Sequence, residues 1–187
     1  MTTLTRVSKY APASNSTRFS NTTDPRRRIG AKRRLRTISP ARPLRQQALT
    51  LKIAVRLYRR TEKLRLGRVF YAPCNILMDK GVVVQPDIFF VSDARCGIIG
   101  ETMLYGAPDL AIEILSGPDR SLEYLSRKRL YSRFGVPELW TVDPKRRIAE
   151  TFLWSELGYI STGVYGGTGK IRSVFSPELR LSLSGIF

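Results

Sequence analysis

The sequence of 187 residues contains no histidine. This absence excludes catalytic Ser–His and Cys–His pairs, histidine-based zinc helices and histidine acid–base relays. Any chemistry must therefore use carboxylates, lysine, arginine, hydroxyl groups or a metal ion held by oxygen ligands. The two cysteines, Cys74 and Cys96, are too few and too far apart for a zinc motif or a disulfide framework. We expect both to be reduced thiols.

Long hydrophobic runs are also missing. No stretch approaches the roughly 18 consecutive apolar residues that a membrane-spanning helix needs, and the first thirty residues lack the apolar segment of a secretory signal. We therefore expect a cytoplasmic protein that does not cross a membrane. Hydrophobic residues nevertheless make up 42% of the chain, which is enough for a core and excludes a wholly disordered protein.

Acidic residues are scarce, because 15 Asp and Glu face 32 Lys and Arg, which gives a net charge of +17. The excess is concentrated in residues 1–45, which contain 12 basic residues and a single acid, Asp24. This segment is rich in Ser, Thr and Asn and shows no helical or strand period, so we predict a disordered basic tail before a folded domain at 46–187. A solubilising tail without a fixed partner and an organellar transit peptide are the alternatives.

Residues 46–65 are predicted to form an amphipathic helix that ends at Gly67. Its apolar residues recur near the 3.6-residue period: Leu49, Ile53, Leu57 and Leu64, with Ala54 and Tyr58 widening the face.

The same helix carries a row of basic residues that contains no acid. Such a row is usually a solvated face, but it also suits the phosphate backbone of a nucleic acid, the usual partner of a strongly basic protein. The candidate DNA-binding residues are Lys52, Arg56, Arg59, Arg60 and Lys63.

The rest of the chain alternates strand patterns with one further helix, predicted at 121–134. Pro86 lies inside an apolar run and requires an edge, a bulge or an interruption of the strand. The predicted strands are 68–73, 75–79, 82–91, 109–116, 138–144, 147–154, 158–165 and 171–175, the last three as a closing meander.

Two acids lie in apolar surroundings. Asp87 is followed by Ile-Phe-Phe-Val, and Glu113 lies between two isoleucines in a strand whose alternation places Asp109 on the same face. A buried carboxylate must be paired, protonated or bound to a metal ion. Taken singly, each acid is explained by a turn or an arginine. On neighbouring strands, however, Asp87 and Glu113 would supply hard oxygen ligands for Mg²⁺.

An ordered series of motifs adds a resemblance to these observations. The chain contains GRVF at 67–70, QPD at 85–87, APDLAIEILS at 107–116 and LYSRFGVPELWTVDP at 130–144, and it ends in LSLSGIF. Over roughly residues 46–187 it resembles the Uma-type restriction endonuclease family of the PD-(D/E)XK nuclease superfamily. The resemblance implies an α/β fold with a mixed central sheet flanked by helices.

The resemblance also implies a Mg²⁺-dependent endonuclease that hydrolyses DNA. Matched position by position, Asp87 and Glu113 are the metal ligands and Asp109 assists them. Arg127 stands where the family has a lysine on the following helix, and Lys128 is adjacent. Either cation would steady the phosphate.

The chain departs from the family at three points. Arginine replaces the helix lysine, and arginine does not easily lose a proton; the family's early glutamate and histidine are absent. The alternative is therefore a catalytically inactive remnant of the same fold that binds DNA or RNA without specificity. A poorly folding gene product and a homodimer also stay open.

Overall fold

The computed structural model of the protein describes residues 43–115 and 120–187, and its side chains from residue 124 onward in the second range. The predicted disordered tail is residues 1–45, of which residues 1–42 lie outside these ranges. Two α-helices, α1 (Leu44–Leu64) and α2 (Arg120–Arg133), and a 3₁₀ helix (Asp93–Ile98) are present. The strands are β1 (Gly67–Tyr71), β2 (Asn75–Asp79), β3 (Val82–Val84), β4 (Ile88–Ser92), β5 (Met103–Tyr105), β6 (Leu110–Ile114), β7 (Glu138–Asp143), β8 (Ile148–Ser155), β9 (Gly158–Gly166), β10 (Lys170–Arg172) and β11 (Arg180–Ser182).

The main sheet has six strands in the order β1-β4-β6-β7-β8-β9. Its central pair, β6 and β7, is parallel, whereas the other neighbours are antiparallel. The crossover between the parallel strands contains α2, as a parallel connection requires. The predicted α/β fold with a mixed central sheet is confirmed. Two smaller sheets, β3-β2-β5 and β10-β11, flank it.

Helix α1 covers one face of the main sheet. Leu49, Ile53, Ala54 and Leu57 are buried against the even-numbered residues of β6 and against the C-terminal segment. Each fully buried leucine or isoleucine contributes about 1.5–3 kcal/mol. The predicted helix and its core period from Leu49 to Leu57 are therefore confirmed, but Leu64 and Tyr58 are 36% and 51% exposed and lie outside the core. The helix ends at Leu64, and Gly67 begins β1.

Helix α2 covers the opposite face. Tyr131 packs there with Ala111, Leu139 and Phe152, and Gly135 in the left-handed region (φ +65°) turns the chain toward β7. The alternation predicted for β6 is thus correct, because Leu110, Ile112 and Ile114 face α1 and Ala111 faces α2. Glu113 consequently belongs to the face that α2 covers.

The run 82–91 is two strands, because the chain leaves the ladder at 85–87, which is the interruption expected as one of three outcomes at Pro86. The structure corrects two other predictions. Strand β5 and the 3₁₀ helix lie in a stretch predicted as a polar connection. At 171–175 the strand ends after Arg172 and pairs with β11 in a separate sheet, so the predicted meander stops at β9.

Within the described ranges, no helix combines the length and apolar character that a membrane crossing demands.

Candidate active site

Glu113 lies in β6 and is 4% exposed. Its Oε2 accepts a hydrogen bond from Nη1 of Arg127 at 2.7 Å, and its Oε1 accepts one from the Tyr131 hydroxyl at 2.5 Å. Arg127 and Tyr131 are four residues apart on α2 and therefore share one face of the helix. The helix thus presents a cation to one carboxylate oxygen and a neutral donor to the other.

Asp87 immediately precedes β4 and is 1% exposed. Its Oδ2 accepts a hydrogen bond from the backbone N–H of Ile114 at 2.7 Å, the residue next to Glu113. The antiparallel register pairs Ile88 with Ile112, each one position away from one of the two acids. The two acids predicted as metal ligands therefore lie in the same part of the fold, Asp87 just before β4 and Glu113 in β6.

Asp109 is not brought to this pair. It precedes β6, four residues before Glu113, which is about 13 Å along an extended chain. Its Oδ1 accepts a hydrogen bond from Nη1 of Arg95 at 2.6 Å, and its Oδ2 accepts one from the Ser92 N–H at 2.7 Å. These bonds hold the 3₁₀ helix against the end of β4. Asp109 and Glu113 lie on the same face of the strand but at its opposite ends. The assisting role predicted for Asp109 therefore has no geometric support.

Lys128 also points away from Glu113. Its Nζ lies 3.4 Å from the centroid of the Phe152 ring, on β8, and 5.7 Å from that of Tyr124. Burial lowers the pKa of Lys128, and the negative charge of Glu150 opposes that shift. Consecutive residues of an α-helix point 100° apart, so Arg127 contacts β6 and Lys128 contacts β8. Of the two cations predicted at the site, the structure brings only Arg127 to Glu113.

Three residues of the basic row of α1 have partners within the protein. Lys52 donates to the carbonyls of Gly185 and Ile186, and Arg56 donates to the carbonyls of Ser182 and Ser184 at 2.6 and 2.7 Å.

Arg60 donates in the same way to the Glu178 carbonyl at 2.8 Å. Three of the five predicted DNA-binding residues thus bind carbonyls of the protein's own C-terminal segment, and Lys52, Arg59 and Lys63 are exposed. DNA binding by this row stays a prediction.

The donor set at Asp87 and Glu113 suits Mg²⁺. This ion keeps several waters and is commonly held by one or two carboxylates together with substrate phosphates. Each carboxylate oxygen has two lone pairs, so a hydrogen bond from Arg127 or Tyr131 does not exhaust it. Among the described residues, no group of three or more His, Cys, Asp or Glu could hold a metal ion. Two carboxylates fit an open, water-rich ion such as Mg²⁺.

The sequence places Tyr131 four residues from Arg127 on the same helix face, where it could reach the site or pack, and packing is favoured. The structure shows both roles, because its ring is buried in the core and its hydroxyl binds Glu113.

Comparison with known proteins identifies relatives of this architecture. The profile of the Uma2 family, described as “Putative restriction endonuclease”, matches residues 21–184. A crystal structure from Anabaena variabilis ATCC 29413, described as a putative nuclease belonging to DUF820, is similar with a TM-score of 0.64 and 18% sequence identity, covering 79% of this chain and 83% of that chain. At this identity the likeness shows the fold alone. No curated protein matches the sequence.

Proposed function

The chain belongs to the Uma2 family of putative restriction endonucleases, and from that premise we propose that it is a Mg²⁺-dependent endonuclease that hydrolyses phosphodiester bonds in DNA. The observation that carries the proposal is the pairing of two buried carboxylates, Asp87 and Glu113, across neighbouring strands. Two negative charges at one place in the interior are costly without a compensating cation. Their position next to a partly exposed arginine suits a site for a charged substrate.

Asp87 and Glu113 would hold the ion in this proposal. When bound, Mg²⁺ supplies Lewis-acid polarisation of the phosphoryl group and lowers the pKa of an attacking water. The backbone N–H of Ile114 and the Tyr131 hydroxyl orient the two carboxylates through their other lone pairs. The protein's contribution is thus to fix two ligands before the substrate arrives.

Arg127 would stabilise the charge that develops on the phosphate. Its side chain is 35% exposed, so its guanidinium reaches the boundary between Glu113 and solvent. Donors that are positioned in advance at developing charge typically contribute about 10²–10³-fold in rate. Because an arginine remains protonated, this residue acts as a donor and not as a general base.

Plasmid nicking with Mg²⁺ and with EDTA tests the proposal. The full-length protein should nick DNA with Mg²⁺, and Asp87→Asn should lower the rate by at least about 100-fold. Asp79→Asn is the matched control, because Asp79 is an exposed acid whose Oδ1 accepts only a local turn bond from the Lys80 N–H. Cutting that persists both in EDTA and in Asp87→Asn would contradict the proposal.

The second candidate function is metal-independent binding of nucleic acid by an inactive relative of the nucleases. It is favoured by the ion pair between Arg127 and Glu113, in which a permanent cation already neutralises one proposed ligand. Binding that needs no Mg²⁺, weakens steeply with salt and leads to no cleavage would support it.

A further inference from the structure

We infer that Tyr131 is a positioning residue that fixes the orientation of Glu113 for binding the cation. Arg127 is the exchangeable partner, because it moves from Glu113 to the substrate phosphate when substrate binds. This inference rests on the proposed function and gives Tyr131 and Arg127, both donors to Glu113, a permanent and a transient role. Neither role follows from the motif that contains them.

The first argument is the difference in burial. Tyr131 is 1% exposed, and its ring packs among Ala111, Leu139 and Phe152, so the hydroxyl cannot leave Glu113 without opening the core. The Arg127 side chain is 35% exposed and joins Glu113 from the solvent side. A long, partly exposed arginine changes rotamer at small cost, whereas a packed aromatic ring does not.

The second argument is charge. The Tyr131 hydroxyl is neutral, so it orients Glu113 without neutralising it, and its hydrogen bond is compatible with a cation on the remaining lone pairs. The Arg127 guanidinium is a permanent cation and would repel a divalent ion at the same carboxylate. Cation binding therefore favours keeping the bond from Tyr131 and releasing the bond from Arg127.

Calorimetric titration of the full-length protein with Mg²⁺ alone tests the inference, because it reports on Glu113 without requiring cleavage. Tyr131→Phe should weaken Mg²⁺ binding by about 10-fold or more, the size of effect seen when partners of metal ligands are removed. Arg127→Gln should bind Mg²⁺ at least as tightly as the wild type, while its kcat for plasmid nicking falls and its KM changes little.

Tyr159→Phe is the matched control. Tyr159 lies near the same face of the sheet, and its hydroxyl donates to the Val136 carbonyl at 2.7 Å, so this variant loses a similar bond without touching a carboxylate. Thermal unfolding of both variants separates loss of stability from loss of the ligand's orientation.

The outcomes distinguish the inference from the proposed function. A wild type that neither binds Mg²⁺ nor nicks DNA would overturn both. A wild type that does both, with Mg²⁺ affinity equal in Tyr131→Phe and Tyr159→Phe, would overturn the inference alone. If Tyr131→Phe does not fold, Arg127→Gln decides, since a tenfold loss of Mg²⁺ affinity in that variant would show that Arg127 is not the exchangeable partner.

Discussion

The two ends of the stretch Asp109–Glu113 carry the same chemistry and serve different purposes. At each end a buried acid accepts a hydrogen bond from an arginine, at 2.6 Å for Arg95 and Asp109 and at 2.7 Å for Arg127 and Glu113. The two arginine side chains are also equally exposed, at 37% and 35%. Neither the ion pair nor its exposure therefore identifies a functional acid.

The other partners of the two carboxylates make the difference. Asp109 binds the Ser92 N–H with its second oxygen, and Arg95 also donates to the Ala107 carbonyl, so both members are tied to the backbone. Glu113 binds a tyrosine hydroxyl, and a second acid, Asp87, binds the N–H of the next residue, Ile114. A second carboxylate, and not the arginine, distinguishes the candidate site from a structural lock.

Exchanging each acid for its amide should separate the two ends most clearly. Glu113→Gln should lower the rate of DNA nicking by at least about 100-fold, because it removes a ligand charge. Asp109→Asn should instead lower the free energy of unfolding by about 3 kcal/mol, since it weakens a buried charge pair that positions the 3₁₀ helix. Urea unfolding and plasmid nicking of both variants measure the two effects.

Unfolding is the control for Glu113→Gln, and DNA nicking is the control for Asp109→Asn. Glu113→Gln should stay folded, and Asp109→Asn should nick DNA at close to the wild-type rate at temperatures where it is folded. Selective loss of nicking in folded Asp109→Asn would return Asp109 to the active site and remove the distinction between the ends.

The sequence revealed that Asp87 and Glu113 are buried, but it did not reveal their partners. Asp87 and Glu113 stand out because acids in apolar strands are costly, and the alternation of β6 placed Glu113 on its face. Asp109 follows the same alternation, so the pattern grouped it with Glu113. The partner Arg95, which decides its role, lies in a stretch that carries no strand or helix period.

The contacts of the basic row of α1 were equally hidden from the sequence. Its helical period was predicted correctly, but periodicity does not reveal which side chains meet a segment more than 100 residues away. Arg56 and Ser182, for example, are 126 positions apart and joined by a hydrogen bond. Charge patterns therefore predict where a cation projects from its helix, and tertiary contacts decide whether it meets solvent or protein.

Arg56 and Arg59 of α1 give a second comparison, between a cation that binds the protein's own carbonyls and one that is exposed. Arg56→Ala removes two bonds to the C-terminal carbonyls and should lower the free energy of unfolding by about 1 kcal/mol. Arg59 is exposed, so Arg59→Ala should leave stability unchanged and lower DNA affinity, with a salt dependence weaker by about one counterion.

Urea unfolding and DNA binding at several salt concentrations measure these two effects. Hydrogen exchange at Leu183, whose N–H bonds to the Gly169 carbonyl, reports on the C-terminal segment and should accelerate in Arg56→Ala alone. An unchanged salt dependence in Arg59→Ala would remove α1 from the DNA-binding surface altogether.

Alkaline pH gives the smallest effect and separates the two ends of the acidic stretch once more, because a tyrosine contacts Glu113 and none of the bonds described for Asp109 involves one. The pKa of Tyr131 is raised above its ordinary value of 10.0 by burial and by the charge of Glu113, so the native state holds this proton more tightly than the unfolded chain. Its contribution to stability is complete below pH 10 and is lost as the pH rises beyond it. Tyr124, whose pKa burial raises to about 12, adds to the same loss.

Urea unfolding between pH 8 and 11 should therefore show a shallower alkaline decline in Tyr131→Phe than in the wild type, and an unchanged decline in Asp109→Asn. Equal declines in wild type and Tyr131→Phe would mean that the hydroxyl ionises as readily in the folded protein as in the unfolded chain, and the bond that distinguishes the Glu113 end would then contribute nothing to its stability.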